Sequence, residues 1–270
     1  MSAPTATARV AMPSAGHWTV HAMGTVFSLR LGVLGACGAE VAADVATDLD
    51  EVERTFSPYL PTSEVSRIQA GGLALADASD QVRDVARACA DLERRTDGAF
   101  SAWWDDGQRF DPTGYVKGWA LARAARILAR HGAYCLAGGG DVVAQGLSPS
   151  GRPWQVGVAH PVRRGELATV VAARSADERL AVATSGTSER GRHVVHPRTG
   201  WRPERSQVTA VGRDIATTDA AATAILALGG EGRAAQAALA ARLGVEILVF
   251  DEAARPWWTP GMAAVALLPA

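Results

Sequence analysis

The order of hydrophobic periodicities along the chain predicts an α+β fold, with antiparallel sheets packed against helices. Two observations carry this. Strand-like runs outnumber helical ones, and they do not alternate regularly with helices as a doubly wound parallel sheet would require. Between residues 133 and 212, short β-like runs follow one another with only Gly, Pro and Ser punctuation between them.

The first element is the alternating run Thr25–Leu31, read as a strand. Val41, Val45, Leu49 and Val52 then recur at helical spacing, as do Val82, Val85, Cys89 and Leu92. The stretch 57–72 between them contains Pro58, Pro61 and two glycines and reads as loop, with one helical turn at 63–68. A third helix follows Lys117, with Leu121, Ala124, Ala125, Ile127 and Leu128 on its apolar side. Strands are expected at 133–137, 141–146, 154–159, 167–174, 180–184, 192–195 and 206–212. Helices at 216–228 and 231–242, a strand at 245–250 and an apolar run at 262–268 complete the chain.

Composition narrows the function classes. A chain of 270 residues suits one large domain, or two closely packed lobes that share a core. Hydrophobic residues make up 48% and charged residues 20%, which is globular composition. A net charge of −1 with scattered arginines gives no field for nucleic acid or an anionic membrane. No window has the length of a transmembrane helix, so no integral membrane segment is expected. The N-terminus lacks the apolar core of a secretory signal, and the first cysteine, Cys37, comes too late to carry a lipid. The expected location is cytoplasmic. Residues 1–16 are expected to lack order and residues 17–270 to form the domain. Cys89 and Cys135 read as small buried hydrophobes.

Lysine occurs once, at Lys117, against 26 arginines, so a compact ammonium has been kept where guanidinium is the rule. It belongs to Phe110-Asp-Pro-Thr-Gly-Tyr-Val-Lys-Gly118, a tight turn that enters a helix. Free amides at such a helix start can hold phosphate oxygens, although on these letters alone a plain turn with a capping aspartate is the favoured reading. Leu136-Ala-Gly-Gly-Gly-Asp-Val142 joins two strands. It is not followed by a helix, which excludes a dinucleotide-binding Rossmann turn and leaves a glycine-rich hairpin or a close backbone approach to a ligand. In His193-Val-Val-His-Pro-Arg-Thr-Gly200 the two histidines alternate across a strand, so they do not share a metal. His193 is either a surface histidine or a single general base or hydrogen-bond donor. Asp219 and Thr223 stand four apart in a helical segment, which puts a carboxylate and a hydroxyl on one face. That pair suits magnesium, which takes few protein ligands and keeps water and phosphate in its shell. A helix-capping Asp219 is the competing reading.

In order along the chain, seven segments resemble the FAD:protein FMN transferase family, the ApbE-like flavin transferases. They are His21–Thr25, Phe56–Ser66, Asp111–Gly118, Ala137–Asp141, Thr184–Gly186, His193–Gly200 and Asp219–Thr223. The resemblance implies an FAD cleft between two closely associated lobes. Met23 and Tyr59 would line the flavin or adenine region, and Asp111 and Lys117 would hold FAD. His193 would lie near the phosphates, with Val195 touching the cofactor through its backbone. The Gly114 carbonyl, Asp219 and Thr223 would hold Mg²⁺. The implied reaction is transfer of FMN from FAD to a threonine hydroxyl of an acceptor flavoprotein, releasing AMP, with His193 and Lys117 as catalytic groups. An FAD pyrophosphatase and a non-catalytic FAD-binding protein are the alternatives. The chain departs from the family pattern at His196, where an Asp is usual, near Ser188, where an aromatic is usual, and in the shortened stretch after Phe100.

Overall fold

The computed structural model describes residues 9–14, 16–32, 38–104, 107–187, 194–204 and 206–266. The strands before the first long crossover are β1 (Arg9–Ser14), β2 (His17–Ala22) and β3 (Thr25–Leu31). A small hairpin follows as β4 (Trp103–Trp104) and β5 (Arg109–Phe110), then β6 (Tyr134–Gly138) and β7 (Asp141–Gln145). The later strands are β8 (Gln155–Ala159), β9 (Leu167–Ala172), β10 (Leu180–Gly186), β11 (Gln207–Gly212), β12 (Glu246–Phe250) and β13 (Pro256–Trp258). The helices are α1 (Gly38–Phe56), α2 (Glu64–Gln69), α3 (Asp80–Arg95), α4 (Thr113–Ala129), α5 (Ile215–Ala227) and α6 (Arg233–Leu243).

Nine strands form one sheet in the order β1-β2-β3-β6-β7-β10-β11-β12-β13, and each neighbouring pair is antiparallel. Strands β8 and β9 form a separate antiparallel pair. The expected α+β class and its antiparallel sheets are therefore what the chain adopts.

Side-chain alternation explains the two cores. Along β10, β11 and β12, Ala181, Ala183, Val208, Ala210, Ile247 and Val249 face a large core shared with α1, α3, α4 and α5. Their neighbours Leu180, Val182, Val211, Leu248 and Phe250 face a second core closed by Val156 and Val158 of β8, Val171 of β9 and Met262. Both faces of these strands are buried, so they read in sequence as continuous apolar runs. Two closely associated lobes thus share one sheet.

Helix α5 is buried nearly all round its circumference, as expected for a helix threaded between a sheet and another helix. Its alanines allow α4 to approach closely. A fully buried residue such as Ile225 anchors it, and truncating a side chain of this kind costs about 2–5 kcal/mol.

Several expectations change. Arg9–Ser14 pairs with β2, so part of the segment 1–16 that was expected to lack order is a strand. Helix α4 begins at Thr113 rather than after Lys117, with Pro112 at its N-cap and an Asx turn just ahead of it, in which the Asp111 carboxylate accepts from the Thr113 amide at 3.1 Å. Residues 194 and 195 are not in a strand, and 192 and 193 lie outside the described residues. The apolar run near 262 enters a 3₁₀ turn, Pro260–Ala264. Strands β2, β4, β5 and β13 carried too short or too mixed a pattern to be read in sequence.

Candidate active site

A cleft of about 1730 Å³ opens over one end of the nine-stranded sheet. Two hairpin turns lie at that end. Ala22 pairs with Thr25, leaving a two-residue loop, Met23-Gly24, with φ of 53° and 67°. Gly138 pairs with Asp141, leaving Gly139-Gly140 with φ of 58° and 91°. Positive φ at both loop positions gives the backbone twist that matches the flanking strands. For Met23 this conformation costs about 1–2 kcal/mol relative to glycine. Its amide donates to Glu53 Oε2 at 3.0 Å, which ties the strained turn to α1 and holds Met23 at the cleft.

Tyr59 lines the same wall and is 89% exposed. Its loop is fixed from below, where Ser63 Oγ and Ser66 Oγ donate to the Ser57 carbonyl at 2.6 and 3.1 Å. Strand β8 and the turn that follows it also line the cleft.

Asp111 sits where the β4–β5 hairpin hands over to α4. Its amide donates to the Ala102 carbonyl at 2.8 Å, and its Oδ1 accepts from both the amide and the hydroxyl of Thr113. Asp111 thus closes the turn ahead of the helix with one oxygen, and it also lines the cleft. Gly114, in the first turn of α4, faces the cleft and is exposed.

The alternative reading of Asp219 as a cap is removed by the structure. Asp214 caps α5, its Oδ1 accepting from the Thr217 amide at 2.8 Å, and Asp219 lies in the second turn. Asp219 and Thr223 both reach the cleft. Gly118 of α4 faces Asp219, and a Cβ there would come within 2.9 Å of Asp219 Cβ and 3.0 Å of Ala216 Cα. This close crossing brings Lys117 Nζ to 3.1 Å from Asp219 Oδ2. The same ammonium contacts Oδ2 of Asp141, a fully buried residue at the start of β7. Asp141 Oδ1 accepts from the Thr184 amide at 3.1 Å, and the next residue, Ser185, shares a 3.0 Å hydrogen bond with Thr223 Oγ1.

Neither Asp219 Oδ2 nor Asp141 Oδ2 receives a hydrogen bond of good geometry, although both are buried; the Lys117 contacts are ion pairs without directed bonds. A buried carboxylate oxygen left in this state fits a cation. Among the described residues no group of three His, Cys, Asp or Glu side chains gathers as a metal cluster. Asp219 and Thr223, one turn apart on α5, instead offer a carboxylate and a hydroxyl, hard oxygens of the kind magnesium takes.

Val195 lies on the cleft, followed by the turn 196–201. At His196, where the resembled pattern has an Asp, Nδ1 accepts from the Arg198 amide at 3.2 Å, and the Thr199 amide lies 3.4 Å away. The imidazole therefore does the turn-closing work of a carboxylate, and Nε2 faces Glu231 at 3.4 Å. His160, in the turn after β8, repeats the arrangement, its Nδ1 accepting from the Val162 and Arg163 amides at 3.1 and 3.0 Å. His193, Ser188 and Cys37 lie outside the described residues.

Sequence reasoning named Lys117, Asp111, Asp219 and Thr223, and these four line one cleft. It assigned no role to Asp141, Ser185 or Gly118. Asp141 follows the Gly139-Gly140 turn, but nothing in the letters says that a carboxylate there is buried against Lys117.

The architecture is that of an α+β protein with a large cleft lined by Lys117, Asp219 and Thr223. The ApbE family model matches residues 23–104 and 102–249, and the chain belongs to the ApbE family. Among solved structures, the ApbE protein of Thermotoga maritima has a TM-score of 0.80 at 20% identity, covering 92% of this chain and 98% of that one. The flavinyl transferase ApbE of Pseudomonas stutzeri, in its apo form, has a TM-score of 0.75 at 19% identity over 96% and 98%. The flavin transferase ApbE of Vibrio cholerae has a TM-score of 0.75 at 18% identity over 96% and 99%. No curated relative matches the sequence. Among the described residues no helix is long and apolar enough to cross a membrane.

Proposed function

We propose that this ApbE-family protein is a flavin transferase that moves FMN from FAD to a threonine hydroxyl of an acceptor flavoprotein and releases AMP, with Mg²⁺ at the reacting pyrophosphate. The observation that carries the reading is the buried Asp219 Oδ2, with no hydrogen bond, beside Thr223 at the base of a cleft large enough for a dinucleotide.

Asp219, Thr223 and the Gly114 carbonyl would hold the Mg²⁺. When bound, that ion supplies charge neutralisation and polarisation of the pyrophosphate. Met23 and Tyr59 flank the flavin or adenine ring. Asp111 and Lys117 orient FAD from the α4 side, and the Val195 backbone touches it from the other. Phosphoryl transfer asks mainly for positioning and electrostatics, and the rigid turns at Met23 and Gly139 supply positioning by fixing the walls of the cleft. His193 takes the proton of the attacking threonine hydroxyl, whose oxygen bonds the phosphorus on the FMN side as the bond from that phosphorus to AMP breaks.

The test is purified protein incubated with FAD and Mg²⁺, with and without a threonine-containing acceptor peptide. AMP together with flavin covalently bound to the peptide is the expected result. AMP with free FMN in both samples would assign the site to hydrolysis, and FAD that stays intact would overturn both activities. Asp219→Ala is expected to lose at least about 100-fold in metal-dependent turnover, as for removal of a principal electrostatic group. Full activity in that variant would overturn the metal assignment.

A further inference from the structure

We propose that Lys117 is a built-in cation that competes with the divalent metal for Asp219, and that Asp141 is the positioning residue that shares the ammonium and so limits that competition. The inference rests on the reading of Asp219 as a metal ligand.

The geometry separates the roles of the two carboxylates. Asp141 is fully buried, and its Oδ1 is committed to the Thr184 amide at 3.1 Å, so it has no freedom to turn away. Its Oδ2 lies against Lys117 Nζ. Asp219 Oδ2 lies 3.1 Å from the same ammonium but is held by no hydrogen bond, so this oxygen can exchange its partner. The lysine side chain comes from the second turn of α4, whose path over α5 is fixed by the missing Cβ at Gly118. The ammonium is therefore parked on Asp141 and leans on Asp219.

Two buried carboxylates and one ammonium leave a formal charge of −1. With the ammonium in place, Asp219 is neutralised without a metal, which avoids an unpaired buried charge. A divalent cation arriving at Asp219 meets that ammonium as a like charge and must displace it from the shared oxygen. The ammonium then stays on Asp141, close to the cleft, where a pyrophosphate can receive it. Metal affinity is thus kept low in the empty cleft and rises when a polyanion draws Lys117 off Asp219. Asp141 also reaches the second metal ligand, since Thr184 adjoins Ser185 and Ser185 bonds Thr223.

The experiment measures Mn²⁺ binding by electron paramagnetic resonance on the full chain at pH 7, without FAD or acceptor. It is therefore independent of whether the protein transfers flavin. Lys117→Met is expected to bind Mn²⁺ about tenfold more tightly than the unaltered protein, and Asp141→Asn about tenfold more weakly. Lys117→Met alone leaves Asp141 buried and unpaired and can fail to fold. The double variant Lys117→Met/Asp141→Asn removes the pair together and is compared with Asp141→Asn, from which it differs only at Lys117. It should bind Mn²⁺ at least about tenfold more tightly than Asp141→Asn. Equal or weaker binding in the double variant, or no binding in either, would overturn the proposal. In the folded Lys117→Met background the Asp141→Asn effect should shrink by about threefold or more, because Asp141 acts through the lysine. An undiminished effect would show that Asp141 contributes only its charge and would overturn its positioning role.

Discussion

Gly118 and Asp219 stand so close that a single methyl group on the glycine would come within 2.9 Å of the Asp219 Cβ. The contact sets how far α4 and α5 stand apart, and hence where Lys117 lies relative to the carboxylate. Gly118→Ala is expected to destabilise the fold by about 1–3 kcal/mol, the cost of overpacking, despite alanine's better helix propensity. The same variant should lower flavin turnover more than Arg126→Ala on the exposed side of α4, because the crossing lies at the site. Urea denaturation followed by circular dichroism checks the first part; a stability equal to the parent's would contradict it.

Asp214 caps α5 through the Thr217 amide at 2.8 Å. Asp214→Ala should cost about 0.5–2 kcal/mol, the usual range for a lost cap, and lower the melting temperature by a few degrees. Asp214→Asn should recover most of the loss, since its side-chain oxygen accepts the same bond. Differential scanning calorimetry on the pair of variants reads both effects.

His160 closes its turn with a neutral Nδ1, and burial, aided by the charge of Arg163, lowers its pKa below the usual 6.5 against the opposing pull of Glu166. The folded turn therefore favours the neutral ring. Its contribution to stability is present above pH 6.5 and is lost as pH falls, because the opened turn takes up the proton first. Amide exchange at Val162 and Arg163, corrected for intrinsic rates, should accelerate between pH 7.5 and 5.5. A His160→Asn variant should show no such acceleration.

Burial pushes the Cys89 thiol up to about 12, with Glu93 adding to it, and pushes Cys135 up to about 11 against the opposing charge of Arg30. Both should react with a thiol reagent at pH 8 at least about 100-fold more slowly than a free cysteine, since the thiolate is the nucleophile. Labelling in a Cys37→Ser background, before and after denaturation, measures this. Fast labelling of Cys89 in the native protein would contradict its place in the core.

Much of the fold was legible because the periodicities of α1, α3 and β10 to β12 are long enough to declare themselves. The short strands β4, β5 and β13 were not, since two or three residues carry no period. Residues 9–14 were read as part of an unstructured terminus, yet pairing with β2 makes them a strand, and only the partner decides that. The helix entry at 111–118 falls four residues earlier than the sequence suggests, because Lys117 and Gly118 look like a boundary, whereas the helix starts at Thr113 with Pro112 as its N-cap.

By itself, the sequence determined the α+β class, the order of the longer helices and strands and the spacing of Asp219 and Thr223, all of which follow from local periodicity. The tertiary structure decided that Asp214 is the cap and Asp219 is not, that the His196 ring closes a turn, and that Lys117 lies between Asp219 and Asp141. Those relationships join residues far apart in the chain. They depend on which strands become neighbours and on how closely two helices can cross where a side chain is missing, and neither is written in any local stretch of sequence.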